Sequence, residues 1–126
     1  AVGEEGVPTV LRPAPTTLGS GRACLGELLA RQPDTDAVFC SSDLLALGVL
    51  TEAQARGLEI PDRLAVVGFG DLAFAKDLHP PLTTIRIDGT AIGRTAARFI
   101  IDRAEGRTPD EHVVDIGFSI VARASA

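Results

Sequence analysis

Two short clusters in this sequence set hydroxyl, carboxylate and backbone N–H groups side by side. Ser41-Ser42-Asp43 follows the apolar run at residues 37–40, and Gly70-Asp71 follows the apolar run that ends at Phe69. Groups of this kind suit a ligand bearing hydroxyls or a carboxylate. Ser and Asp are also the preferred residues at a helix start, where each contributes about 1 kcal/mol by accepting a backbone N–H. Capping therefore accounts for either cluster by itself, and from spacing alone it is the favoured reading, since caps are common and ligand sites few per protein. A small α/β hydrolase using Ser41 or Ser42 with Asp43 and His79 is a further alternative. It lacks a Gly-x-Ser-x-Gly elbow and identifiable oxyanion donors. His79, before Pro80-Pro81, and His112, in a polar turn, have no partners at metal spacing and read as surface residues. Gly68 and Gly70 flank Phe69 without the third glycine and following helix of a dinucleotide fingerprint. No cofactor, metal or catalytic activity is expected.

The elements that must position these clusters follow from hydrophobic period. Residues 7–11 are a short β-leaning run stopped by Arg12-Pro13. From Ser20, a plausible cap, Leu25, Leu28 and Leu29 share a helical face until Gln32-Pro33-Asp34. Residues 37–40 form a buried strand. A helix then carries Leu44, Leu47 and Leu50 near helical period and stops at Gly57. Residues 64–70 are apolar throughout, as in strands inside a parallel sheet. Strand, helix and strand over about 33 residues make a βαβ unit with a right-handed crossover. The fold class is α/β. A short helical turn at 72–78 and an extended segment at 82–87 follow. Asp88 caps a third helix whose stripe is Ile92, Ala96, Phe99, Ile100 and Ala104, closed by Gly106. After a turn at 108–111, Val114, Ile116, Phe118, Ile120 and Ala122 alternate with more polar residues, a strand with one buried face.

The 126 residues suit one domain. Its core must come mainly from Leu, Ile, Val and Ala, because the only aromatic residues are five phenylalanines. A net charge of −5, with the twelve basic residues scattered, argues against a nucleic-acid surface on this chain. No apolar run approaches the roughly 20 residues a bilayer span requires. Cys24 and Cys40 stand at no metal-like spacing and read as reduced core residues. The N-terminal AVGEEGVP has no basic start leading into an apolar run, so no signal peptide is expected, and the chain reads as a piece of a longer one.

Five collinear phrases carry a resemblance: DAVFCSSDLLALGVL at 36–50, GLEIPDRLAVVGFGD at 57–71, PPLTTIRID at 80–88, IGRTAARFI at 92–100 and IVARAS at 120–125. Together they resemble the effector-binding domain of LacI/GalR-family transcriptional regulators, of type I periplasmic-binding-protein fold. The resemblance implies a three-layer, parallel-sheet lobe, truncated. The N-terminal lobe, the helix-turn-helix head, and the first strand and helix of the C-terminal lobe fall outside this sequence. It also implies a sensor that closes two lobes around a sugar, sugar acid or nucleobase, forms homodimers in the cytoplasm, and reaches operator DNA only through the head. Phe39 matches a position that stacks on the ligand, Ser42 and Asp43 cap a helix while bordering the cleft, and Gly70 and Asp71 complete the candidate effector site. Gly70 stands where the family often has a hydroxyl-reading aspartate, a departure from the usual sugar geometry. Leu47 and Leu78 match dimer positions. Residues 1–126 are thus a partial effector-binding and dimerisation domain whose 88–106 helix packs in the other lobe. With that lobe absent, the helix stripe is a sticky patch, and self-association by exchanging this helix, or a rearranged sheet, is expected. A periplasmic solute-binding protein of the same fold is the rival, against which PPLTTI and IVARAS already weigh.

Overall fold

Thr17, in extended backbone, accepts the Ser20 N–H on its hydroxyl at 3.0 Å and so opens helix α1 (Leu18–Arg31). The sequence had placed the cap at Ser20; that residue instead lies in the first turn, its hydroxyl 2.9 Å from that of Thr17. The structure, a computed structural model, describes residues 6, 9–13, 15–107 and 113–126. The expected turn at 108–111, His112 and part of the expected strand at 7–11 lie outside these; residues 9–11 are irregular rather than β.

The remaining elements are β1 (Ala37–Phe39), α2 (Asp43–Ala55), β2 (Ala65–Phe69), a 3-10 turn (Ala73–Asp77), β3 (Thr83–Arg86), α3 (Gly89–Ala104) and β4 (Ser119–Val121). They form one sheet in the order β1-β2-β3-β4, parallel except for β4, which runs antiparallel to β3. The α/β class holds. Val38 pairs with Val66 and Gly68 with Thr84, so these residues share the face that α2 covers. The core lies there: Ala46, Val49, Leu50 and Ala53 of α2 pack with Val66, Leu64 and Leu82. This buried stripe is rotated from the expected Leu44 and Leu47, which are half-exposed. α1 stacks on α2 and closes the layer.

The opposite face of the sheet carries Phe39, Val67, Phe69, Ile85 and Ile120. Among the described residues no helix packs extensively on it, Val67, Phe69 and Ile85 being half-buried, and α3 has no buried residue. Its stripe residues Ile92 and Ile100, with neighbouring Ile101, are exposed, while Phe99 of the same stripe is half-buried. β4 corrects the alternation read from sequence. Phe118 and Ile120 lie on the uncovered side, while Val121, Arg123 and Ser125 turn inward. Ser125 is buried between two strand starts: its hydroxyl accepts the Thr83 N–H and donates to the Val66 carbonyl, and its own carbonyl accepts the Val66 N–H. The closing IVARAS phrase thus ties β2 and β3 together.

Candidate functional site

The parallel strands end along one edge, the usual approach side for ligands in such sheets. Phe39 closes β1 there, 59% exposed, and Ser41 beyond it is exposed. Ser42 caps α2, its hydroxyl accepting the Leu45 N–H at 3.2 Å. Gly70 continues β2, donating its N–H to the Ile85 carbonyl at 2.8 Å. Its φ of 125° is open to glycine and strained for any L side chain, which explains why no carboxylate stands at this position.

The two carboxylates expected at the ligand are spent inside the chain. Asp43 is completely buried; Oδ1 accepts the Thr84 hydroxyl at 2.6 Å and Oδ2 the Leu72 N–H at 2.6 Å. It therefore fastens the start of α2 to β3 and to the segment after β2. Asp71, at a φ of 49°, accepts the Arg86 Nε at 2.6 Å and the Arg123 Nη2 at 2.7 Å. Arg123 is itself anchored, donating from Nη1 to the Leu82 carbonyl at 2.7 Å. The structure thus brings Phe39, Ser42, Gly70 and Asp71 to one edge, places Asp43 beneath it, and adds Arg86, which the sequence reading missed. The signal was the arginine closing the TTIR strand segment. Leu47 is half-exposed on α2, and Leu78 rests partly against the core.

The arginine bridges hold the Asp71 carboxyl below the usual carboxylate range, Arg123 contributing most and Arg86 adding to it, against partial burial. A carboxylate with a depressed folded pKa stabilises the fold above its unfolded pKa of about 3.9, and that contribution fades as pH falls through the folded value. Acid titration of stability is expected to show wild type losing stability below about pH 4 while Asp71→Asn is flatter over that window.

The hydrolase geometry is absent. Among the described residues no hydrogen bond links Ser41 or Ser42 to Asp43 or His79, and the Asp43 oxygens are already engaged. Among the described residues no group of three His, Cys, Asp or Glu side chains converges as a metal site. A cavity of about 390 Å³ opens between β1, α1 and residues 9–11, walled mainly by apolar side chains such as Leu25, Leu28 and Val38. It reaches the ligand edge only at Phe39, Cys40 and Ser41. Cys24 and Cys40 are free thiols on its wall, and burial, with smaller contributions from Cys24 and Asp43, pushes the Cys40 thiol up to about 12. An unionised thiol of that kind is unreactive at neutral pH.

The family model for the periplasmic binding protein-like domain matches residues 1–126. The chain belongs to the periplasmic binding protein-like domain family. Its relatives in that family include the transcriptional regulator GntR of Pseudomonas aeruginosa, 39% identical over 92% of this chain and 34% of that protein. The lactose operon repressor of Rhizobium radiobacter is 39% identical over 79% of this chain and 87% of its own length. Among solved structures, the regulator CelR in complex with cellobiose superposes with a TM-score of 0.82 at 37% identity, over 87% of this chain and 34% of that one. The chain spans about a third of the length of the GntR and CelR relatives. All three are transcriptional regulators or their complexes, so the LacI-type resemblance of the five phrases holds and the solute-binding rival recedes. No helix among the described residues is long and apolar enough to cross a membrane.

Proposed function

We propose that this chain is the effector-sensing and dimerisation portion of a metabolite-responsive transcriptional repressor, with a small sugar or sugar acid as effector. The observation that carries this reading is the strand-end edge itself: an exposed Phe39 ring next to Ser41, Ser42 and Gly70 offers an apolar platform beside hydroxyl and backbone donors, as sugars require. The cellobiose bound by CelR, a relative of closely similar fold, supports the same class of ligand. Phe39 stacks on the effector, Ser42 and Gly70 border it, and Asp43 and Asp71 act from beneath by fixing the edge. No bond is made or broken. The parent protein acts in the cytoplasm and reaches operator DNA through a separate head. Leu47 and Leu78 contribute to a homodimer interface, and the 88–106 helix packs in the second lobe, consistent with its uncovered apolar stripe.

Thermal unfolding with and without millimolar sugars and sugar acids tests the reading. A ligand at 100 times its Kd adds about 2.7 kcal/mol, a rise of several degrees in a domain of this size. The expected result is a shift for one chemical class that is reduced in Phe39→Ala. A cooperative transition that no compound moves would count against the site on this chain.

A further inference from the structure

One carboxylate, Asp71, pairs with two guanidiniums, Arg86 and Arg123, at the carboxyl ends of β2 and β3, while the buried Asp43 carboxylate lies beneath them with both oxygens engaged by Thr84 and Leu72. The two arginines are not equivalent. Arg123 is 16% exposed and both its Nη groups are engaged, by Leu82 and Asp71, so it has little left to give. Arg86 is 56% exposed and bonds Asp71 through Nε alone; among the described residues neither Nη has a partner. An arginine held at Nε has its plane fixed while its paired Nη groups remain open, a fork that matches the two oxygens of a carboxylate or phosphate. The support beneath it is rigid, because Asp71 sits in left-handed backbone and is pinned from the other side by Arg123. The position next to it is Gly70, whose backbone keeps any carboxylate side chain away. The edge thus lacks an anion free to read hydroxyls and carries a cation free to read an anion.

We propose that Arg86 is a specificity-determining residue and that the effector bears an oxyanion, as a sugar acid or a sugar phosphate does. The inference rests on the effector reading above and narrows it. Asp71 is the positioning residue: it aims Arg86 and leaves its end-on donors available. The remaining carboxylate in this stretch, Asp88, is turned to the start of α3, where it accepts the Ala91 N–H at 2.9 Å.

The test is isothermal titration of this chain with D-gluconate, D-glucose 6-phosphate and D-glucose, repeated on Arg86→Gln and Arg86→Lys. The expected result is binding of at least one anionic ligand, with D-glucose at least tenfold weaker. Arg86→Gln removes that preference, and Arg86→Lys restores part of it because charge is kept while the fork is lost. Gluconate against the phosphate tells which oxyanion is read. Arg86 is half in solvent, so both variants are expected to keep the wild-type circular dichroism, with a transition lowered only by the loss of its bond to Asp71. Equal or better binding of D-glucose, or a charge preference untouched by Arg86→Gln, would overturn the proposal while leaving the effector reading in place. Absence of binding by all three, together with no response to cellobiose or lactose, would remove both.

Discussion

An Asp43→Ala variant is expected to lose on the order of 3–5 kcal/mol of unfolding free energy, since hydrogen bonds to a charged partner are each worth about 1.5–3 kcal/mol. Both oxygens of this completely buried carboxylate are engaged, by the Thr84 hydroxyl and the Leu72 N–H. Truncation leaves those two donors facing an apolar void. Asp43→Asn is the informative companion. Its Oδ1 can still accept from Leu72, and its amide can donate to a Thr84 hydroxyl that has turned around, so most of the geometry survives at a smaller cost. Against a total stability of about 5–15 kcal/mol, the alanine variant stands close to unfolding, and its transition is expected to fall by about 10 °C or more. Urea denaturation followed by circular dichroism measures both. Equal stabilities for the alanine and asparagine variants would mean that the two bonds contribute nothing net, and a wild-type value for alanine would mean the carboxylate is solvated in solution.

Asp43 also marks the limit of what the sequence discloses. Its type and position, directly after Ser42 and before an apolar helix, read identically whether the carboxylate faces a ligand or the core. Its partners stand 29 and 41 residues away, beyond any local pattern. Local signals did better on the elements themselves: α2 as a helix, the apolar β2 and the Asp88 cap appear in the structure where the pattern put them, although the face that α2 buries is rotated from Leu44 and Leu47. The alternation along residues 114–122 is present as a strand only at Ser119–Val121, residues 113–118 being irregular, and a period of two says only that a strand has two faces. Which face is covered depends on the neighbouring layers. Here the apolar pair Phe118 and Ile120 is exposed, and the inward side holds Val121, Arg123 and the buried Ser125. Phe39, Ser42 and Gly70 were legible as an edge because strand ends in a parallel sheet are set by topology. Arg86 was not, because its significance lies in an Nε bond to Asp71 that fixes it and in two donors left over.

The close crossing of α1 and α2 sets the second large effect. A Cβ added at Gly48 would lie 2.8 Å from Gly21 Cα, 3.0 Å from the Arg22 nitrogen, and nearer still to the Leu18 carbonyl oxygen. All three are backbone atoms of the opposing helix, so no rotamer change relieves the clash and the helices must separate. Alanine is the better helix former by about 1 kcal/mol, which pulls the other way. Overpacking in a close-packed interior costs typically 1–3 kcal/mol and more where backbone must move, so Gly48→Ala is expected to destabilise by about 2 kcal/mol net. Gly21 meets α2 in the same manner, its added Cβ 3.0 Å from Gly48 Cα. One displacement of the helices would relieve both clashes, so the double variant is expected to cost less than the sum of the singles, a coupling that a double-mutant cycle reads directly. Gly93→Ala in α3 is the control, because nothing lies within 4 Å of its added Cβ. There only the propensity remains, and stability is expected to rise by about 0.5–1 kcal/mol. If Gly48→Ala matched Gly93→Ala in sign, the helix crossing would be looser than the one described, and the α2 start that carries Ser42 and Asp43 to the strand edge would be free to shift with it.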